Sequence, residues 1–194
     1  MSGTRDALWA RQILLSAALA ATAAGCALGR PHVKSLRDRD ASRVVLDNVI
    51  PTTISALNAL PARCSPTFDH RVRDEEFHVY QIVGIVARAK REPDRDIHIV
   101  LEDPDDRGKR VIVESDDPDF RGNAASPYRD RLAAGRRMLD DLLQKAGFAQ
   151  LSDLRGARVR VTGVGFFDMR HFQRGRSRSC IELHPILAIE LAKP

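Results

Sequence analysis

Hydrophobic and polar residues alternate along five stretches of the chain, all of them after residue 76. The stretches cover 77–87, 97–102, 110–114, 159–167 and 181–189. Successive side chains of a β-strand point to opposite faces of a sheet, so an alternation with period two predicts five strands. The Asp-Pro-Asp-Asp-Arg-Gly segment at 103–108 has the composition of a turn and separates the second predicted strand from the third.

One helix is predicted between the third and fourth strands. Its hydrophobic face consists of residues three and four positions apart, namely Leu132, Gly135, Leu139, Leu142 and Ala146. Ser126 and Pro127 supply an N-cap and a first helical residue, and Gly147 ends the helix. Three strands, one helix and two strands are the element order of the OB-fold. We therefore expect a mainly β fold, a five-stranded OB-fold-like barrel with one helix between strands three and four. An open antiparallel sheet with one helix is the alternative.

The first 26 residues have the pattern of a signal peptide. Arg5 and Arg11 form a positively charged segment before an uncharged stretch over 12–24, which ends in small residues. The Ala-Ala-Gly-Cys segment also resembles a bacterial lipobox, in which Cys26 would be lipidated and would anchor the protein to a membrane. An ordinary peptide cleaved near Ala27 and an uncleaved anchor are the alternatives. We expect export to the periplasm, to the outer membrane as a lipoprotein, or out of the cell.

The sequence after the signal peptide divides into two parts. Residues 27–75 lack a regular period and are expected to form a solvated N-terminal arm with a short helix over 52–60, closed by Pro61. Residues 76–194 are expected to form the OB-like barrel domain. Because export leads to an oxidising compartment, Cys64 and Cys180 are expected to form a disulfide, with two free thiols as the alternative.

Composition narrows the class of protein without naming a reaction. The chain has 194 residues, of which 43% are hydrophobic and 29% charged, a globular balance that argues against a disordered tail or a multi-span membrane protein. Aromatic residues make up only 5%, which argues against extended base-stacking surfaces. The sequence contains no nucleophile elbow, phosphate-binding loop or dinucleotide-binding glycine motif.

Histidines and carboxylates occupy the outward-facing positions of the predicted strands. The candidate catalytic residues are His98, Glu114, Asp168, His171, Glu182 and His184. Imidazole beside carboxylate suits general acid–base chemistry or a divalent metal, and His98, Glu114 and His184 are the candidate metal ligands. The turn at 103–108 is expected to place His98 opposite Glu114 and Glu102 opposite Arg110. A set of solvated cross-strand pairs is the alternative interpretation.

Basic residues concentrate in two predicted loops. Lys90, Arg91 and Arg95 lie between the first and second strands, and Arg174, Arg176 and Arg178 lie between the fourth and fifth. OB-folds bind oligonucleotides and oligosaccharides with these two loops, and arginines hold phosphates. These six residues are therefore the candidate ligand-binding set, with nucleic acid or glycan as the partner and no partner protein inferred. Solvated basic loops without a ligand are the alternative.

Five motifs in order resemble a family of small exported bacterial proteins of unknown function with an OB-fold-like domain. They are 96–103 (DIHIVLED), 111–114 (VIVE), Ser126-Pro127, 161–168 with His171 (VTGVGFFDxxH) and 181–185 (IELHP). The likeness extends over residues 50–190 and implies a fold and export, but no activity, substrate or cofactor. The arginine-rich loop at 174–178 departs from the family pattern, so its basic charge is expected to be particular to this chain.

Two functions remain in competition after the sequence is considered. The first is an exported OB-fold-like module that binds a polyanion through its basic loops. The second is an extracytoplasmic metal-dependent hydrolase or nuclease that uses the histidine and carboxylate set. A structural envelope protein without a ligand is a third possibility.

Overall fold

A computed structural model describes residues 30–64, 68–169 and 174–193 of the protein. The predicted signal peptide, the lipidation candidate Cys26 and the site candidate His171 lie outside these ranges. The strands are β1 (Val49–Pro51), β2 (Val79–Arg91), β3 (Ile97–Glu102), β4 (Arg110–Ser115), β5 (Arg158–Phe167) and β6 (Ile181–Leu191). The α-helices are α1 (Pro31–Lys34), α2 (Ile54–Ala59) and α3 (Arg129–Lys145). Short 3₁₀ segments lie at Ala41–Arg43, Asp74–Phe77, Arg121–Ala125 and Leu151–Leu154.

Five of the strands close into a barrel. The sheet order is β1-β2-β3-β4-β6-β5, and a further pairing of β5 with β2 closes the ring. All pairings within the ring are antiparallel except that of β4 with β6, which is parallel. This connectivity, with α3 between β4 and β5, confirms the predicted OB-fold-like barrel.

The register of the β3–β4 hairpin agrees with the prediction from its turn. His98 pairs with Glu114, and Glu102 pairs with Arg110. Ile99 and Val113 therefore point into the barrel, where they belong to a buried hydrophobic cluster. Their neighbours in sequence, including His98 and Glu114, lie on the outer face of the same two strands.

The bend of β5 depends on its glycines. The pairing of β5 with β6 is irregular between Thr162 and Gly165. A Cβ atom at Gly165 would lie 2.2 Å from the carbonyl oxygen of Glu75, far inside van der Waals contact. Glycine is needed here because the backbone of the segment before β2 approaches the strand too closely for a side chain.

Helix α3 packs along β6 and begins slightly later than predicted. Leu139 and Leu142 are buried in the barrel core, as the spacing predicted. The helix starts at Arg129 rather than at Pro127, because Ser126 forms a turn in which its Oγ accepts a hydrogen bond from the Tyr128 N–H at 3.1 Å. Ser126 is therefore two residues before the actual N-cap position, Tyr128.

The N-terminal arm was expected to be solvated, and this prediction is wrong. Leu36 is fully buried against the barrel, and β1 extends the sheet by pairing in parallel with β2. The Arg71 and Asp38 side chains form an ion pair at 3.1 Å with both side chains fully buried. The arm lacks a regular period because it contributes isolated contacts to the surface of the barrel rather than one long amphipathic face. The short helix predicted over 52–60 is present as α2, with the Thr53 hydroxyl accepting a hydrogen bond from Ala56.

A disulfide joins the arm to the β5–β6 connection. It links Cys64 to Cys180, as predicted, across a separation of 116 residues. No helix within the described ranges is both long and apolar enough to cross a bilayer.

Candidate functional site

The outer face of β3, β4 and β6 carries a buried cluster of ionisable side chains, which we call the acidic cluster. Seven of its members are buried, and the eighth, Lys34 of the arm, is half-buried; the members are Lys34, Asp96, His98, Glu114, Asp116, Asp168, Glu182 and His184. Each strand contributes residues at alternate positions of one face, which is why the cluster is contiguous. His98, Glu114 and His184 were named as candidates from the sequence, and the structure brings all three together. Their burial beneath the arm means that they are not the solvated pairs of the alternative interpretation.

Glu114 lies at the centre of this cluster. Its Oε1 is 2.6 Å from Nδ1 of His98, and its Oε2 is 3.0 Å from Nδ1 of His184. The ammonium group of Lys34 donates to the same Oε2 at 3.3 Å. Burial disfavours the carboxylate, but the charge of Lys34 and the two histidine contacts outweigh it and hold the pKa of Glu114 well below its ordinary value.

Lys34 brings a positive charge from the arm into the cluster. Burial disfavours its ammonium form, but the negative charges of Glu114, Asp168 and other carboxylates outweigh that cost and raise its pKa. The arm is thus attached to the barrel electrostatically as well as through apolar contacts.

The second nitrogen of His184 points toward two aspartates. Nε2 lies 3.0 Å from Oδ1 of Asp116 and 3.8 Å from Oδ2 of Asp96. Burial disfavours the imidazolium, but the charge of Asp116 and the contacts with Asp116 and Glu114 raise the pKa of His184 to about 10. Burial, together with the charge of Asp116, raises the pKa of Asp96 to about 8.

Glu182 is a third carboxylic acid of the cluster whose surroundings shift its pKa. It is fully buried, and neither carboxylate oxygen has a hydrogen-bond partner in the described part of the chain. Burial, with the nearby charges of Asp168 and Glu114, raises the pKa of Glu182 well above its ordinary value. The shift favours the neutral form of the Glu182 carboxyl group, which costs less to bury than the carboxylate.

A second feature of the outer face is an open groove lined by arginines, which we call the arginine groove. Its volume is about 410 Å³, and its charged lining residues are Arg88, Glu102, Arg107, Arg110, Arg155 and Arg174. Glu102 accepts hydrogen bonds from Arg107 at 3.0 Å and from Arg110 at 2.7 Å. The hydrogen bond from Arg107 has the largest effect, and together the two bonds hold the pKa of Glu102 below its ordinary value. Five guanidinium groups thus face one carboxylate.

The β5–β6 loop rests on β3 beside the groove. A Cβ at Gly175 would lie 2.4 Å from a methyl carbon of Val100, so the loop backbone rests directly on β3. Gly175 has a φ of 103°, a conformation that a glycine adopts without strain. This contact places the neighbouring Arg174 at the rim of the groove.

The six basic residues predicted from the loops do not form one surface. Only Arg174 lines the arginine groove. The backbone N–H of Arg178 instead binds the side-chain oxygen of Asn58, which directs that part of the loop toward α2. Lys90 and Arg91 lie at the end of β2 rather than in a loop, and Lys90 forms an ion pair with Glu92. In the β2–β3 connection, the Arg95 guanidinium is 3.9 Å from Asp117.

The candidates named from the sequence omit four arginines of the groove and three members of the acidic cluster, Lys34, Asp96 and Asp116. Arg88 and Arg110 are on strands next to Glu102, so strand pairing could have found them once the register was fixed. Arg107 and Arg155 are in connections and carry no periodic signal. Asp116 follows β4 in a Ser-Asp-Asp-Pro segment that has the composition of a turn, and only the parallel pairing of β4 with β6 brings it to His184.

The acidic cluster and the arginine groove are the features of this protein that bear on its function. Searches of the sequence against protein-family models and against curated proteins find no match.

Proposed function

We propose that the protein is an exported binding module that holds a polyanion, a single-stranded nucleic acid or an acidic glycan, in the arginine groove. The observation that carries the proposal is the excess of five guanidinium groups over one carboxylate in an open groove on the outer face of the barrel. Arginine is suited to phosphate, sulfate and carboxylate groups because its planar donors bind such groups in pairs.

The position of the groove supports the same function. OB-folds bind oligomeric ligands across their second and third strands and the loops beside them. In this barrel those strands are β3 and β4, and they supply Val100, Glu102 and Arg110 to the groove. The β5–β6 loop adds Arg174, so the groove combines the strand face with one of the two loops that the fold uses.

Three of the arginines are available to a ligand. Arg88, Arg155 and Arg174 are exposed, and within the described ranges their guanidinium groups form no ion pair. Arg107 and Arg110 share Glu102, so they contribute less to a ligand. An extended anion would therefore be held mainly by the three exposed side chains, and binding would weaken as salt increases.

The test is the salt dependence of binding by a triple variant, Arg88→Gln/Arg155→Gln/Arg174→Gln. Fluorescence anisotropy with a labelled single-stranded DNA and with a labelled heparin oligosaccharide distinguishes the two ligand classes. We expect the variant to bind its ligand at least about tenfold more weakly, a loss of about 1.4 kcal/mol. For the DNA, we expect the slope of log K against log salt to fall in magnitude by about 2, at about 0.7 for each lost phosphate contact.

The matched control is Arg39→Gln/Arg131→Gln/Arg137→Gln. It removes the same formal charge from exposed positions away from the groove, so it corrects for the loss of net charge. The proposal fails if wild-type protein binds neither probe at low salt, or if the two triple variants lose affinity equally. If an Arg176→Gln/Arg178→Gln variant loses as much affinity as the groove variant, the binding site would include the rest of the β5–β6 loop. That result would also contradict the proposal.

The arrangement of the acidic cluster favours binding over hydrolysis. Both oxygens of Glu114 are already in contact with His98, His184 and Lys34, so the carboxylate is held within the protein. His98 and His184 are almost completely buried, whereas a hydrolytic centre must admit a substrate. The arginine groove is open to solvent and needs no rearrangement.

A further inference from the structure

The three strand ends beside the arm converge on one point within the acidic cluster. Asp96 directly precedes β3, Asp116 directly follows β4, and His184 lies in β6. Because β3 and β4 are antiparallel, the start of one strand meets the end of the other, with Ile97 opposite Ser115. The parallel pairing of β4 with β6 adds His184 to the same end. Residues distant in sequence thus present three ligand-type side chains together.

The spacing of the three side chains suits a metal ion. One ligand atom from each of Asp96, Asp116 and His184 lies within 4.8 Å of the other two. The Nε2 atom of His184 is 3.0 Å from Oδ1 of Asp116 and 3.8 Å from Oδ2 of Asp96. Metal–ligand bonds of roughly 2.0–2.2 Å place ligand atoms about 3–4 Å apart, so only small movements are needed to enclose an ion.

Each candidate ligand is oriented by a separate contact. Glu114 contacts Nδ1 of His184, which leaves Nε2 to face the aspartates. A carboxylate on the far nitrogen of a metal-binding histidine is the usual outer contact of such sites. The Asp117 N–H donates to Oδ1 of Asp96 at 2.8 Å, so only Oδ2 of that carboxylate is directed at the site.

An unpartnered oxygen provides independent support. Asp116 is 3% exposed, yet its Oδ2 atom has no hydrogen-bond partner among the described residues. A buried carboxylate oxygen without a donor is costly unless a cation or an unseen donor satisfies it. Its other oxygen already faces Nε2 of His184, so a cation at this point would satisfy both carboxylates at once.

We propose that Asp96, Asp116 and His184 bind one divalent transition-metal ion of the Zn²⁺ type. One imidazole nitrogen with two carboxylates suits such an ion, whereas Ca²⁺ and Mg²⁺ favour all-oxygen sites. The ion joins β3, β4 and β6 through three side chains that are each at most 5% exposed, so its role is structural. It is independent of ligand binding in the arginine groove.

The experiment titrates Zn²⁺ into untagged, chelator-treated protein by calorimetry with a competing chelator. We expect one tight site per chain in the wild type. The Asp96→Asn and Asp116→Asn variants are expected to bind more than about 100-fold more weakly, since loss of even an outer contact commonly costs about 10- to 100-fold. The matched control is His32→Gln/His70→Gln, which removes an exposed and a half-buried histidine beside Asp69, where zinc could bind near the surface.

Two measurements on the wild type keep the test independent of how the variants fold. Co²⁺ should give visible d–d absorption that one equivalent of Zn²⁺ abolishes, and Zn²⁺ but not Mg²⁺ should raise the melting temperature. The proposal is overturned if the wild type binds no Zn²⁺ tightly, or if folded Asp116→Asn protein binds it as the wild type does. A loss of tight binding in the control variant alone would also overturn it.

Discussion

The Glu76 carboxylate is a main point at which the arm is bound to the barrel. It is fully buried, and its two oxygens accept hydrogen bonds from Arg30, from the Val72 N–H at 2.7 Å and from the Phe167 N–H at 3.0 Å. These donors come from the arm, from the segment before β2 and from β5. A charged acceptor bound by this many donors resists substitution even by its own amide.

We expect Glu76→Gln to lower the free energy of unfolding by about 3–5 kcal/mol, because it leaves the Arg30 charge buried without a partner. Chemical denaturation measures the loss. The neighbouring Glu75→Gln is the control, since Glu75 forms a half-exposed ion pair with Arg73 and its loss should cost less than about 1 kcal/mol. Equal losses in the two variants would show that Glu76 is not an anchor.

Glu102 is a carboxylate whose removal is expected to strengthen ligand binding rather than weaken the protein. It is the one carboxylate in the lining of the arginine groove, and it occupies Arg107 and Arg110. Removal of its charge frees both guanidinium groups for an anionic ligand.

Glu102→Gln is therefore expected to bind the polyanion about threefold more tightly at low salt, a gain of about 0.7 kcal/mol. Anisotropy titration with the same labelled probes measures the change. Glu190→Gln is the comparison, because Glu190 also pairs with an arginine, Arg160 at 2.7 Å, but away from the groove. A gain of the same size in both variants would indicate an effect of net charge rather than of the groove.

At the scale of elements, the contact of α3 with β6 depends on a missing side chain. Gly135 faces β6 from within the helix, and a Cβ there would lie 2.3 Å from the carbonyl oxygen of Ile186. The obstacle is backbone, which cannot rotate away as a side chain could. Glycine is a poor helix former, so its presence in the buried face is explained by the closeness of the two elements.

Gly135→Ala is expected to destabilise the protein by about 1–3 kcal/mol, although alanine is the better helix former. Thermal and urea unfolding give the sign. The adjacent Ala134→Gly isolates helix propensity and should cost about 1 kcal/mol. Stabilisation by Gly135→Ala would mean that α3 and β6 are further apart than the structure places them.

The elements that the sequence predicts well are those with internal periodicity. The five barrel strands, α3 and the pairing of His98 with Glu114 follow from alternation and from one turn. The three-residue strand β1 and the burial of the arm do not, because they depend on contacts between segments that have no period of their own. The sequence does not predict burial of the histidine and carboxylate set for the same reason. The polar face of a strand is expected to face solvent, and only the fold shows that another segment covers it.

At the scale of the whole molecule, the Cys64–Cys180 disulfide encloses most of the barrel in one covalent loop. The loop contains β2, β3, β4, β5 and α3, and it attaches the arm beside the β5–β6 connection. Closing so long a loop removes much of the conformational freedom of the unfolded chain. In the chain-entropy description, this corresponds to about 4–5 kcal/mol.

The double variant Cys64→Ala/Cys180→Ala should lose about 2–5 kcal/mol of unfolding free energy in urea. Reductant should destabilise the wild type by a similar amount and leave the variant unchanged, which separates loss of the bond from loss of packing at the buried Cys180. A variant within about 1 kcal/mol of the oxidised wild type would show that burial alone secures the arm.

The identity of the bonded cysteines constrains the order in which the chain can be oxidised. The sequence has three cysteines, and the bond joins the second to the third, which follows five of the six strands. Oxidation of cysteines in the order of their emergence would join Cys26 to Cys64 instead. The native bond can form only after Cys180 has been synthesised, either directly from two thiols or by exchange from an earlier Cys26–Cys64 bond. Lipidation or removal of Cys26 before that point would make the native pairing the one available to the chain.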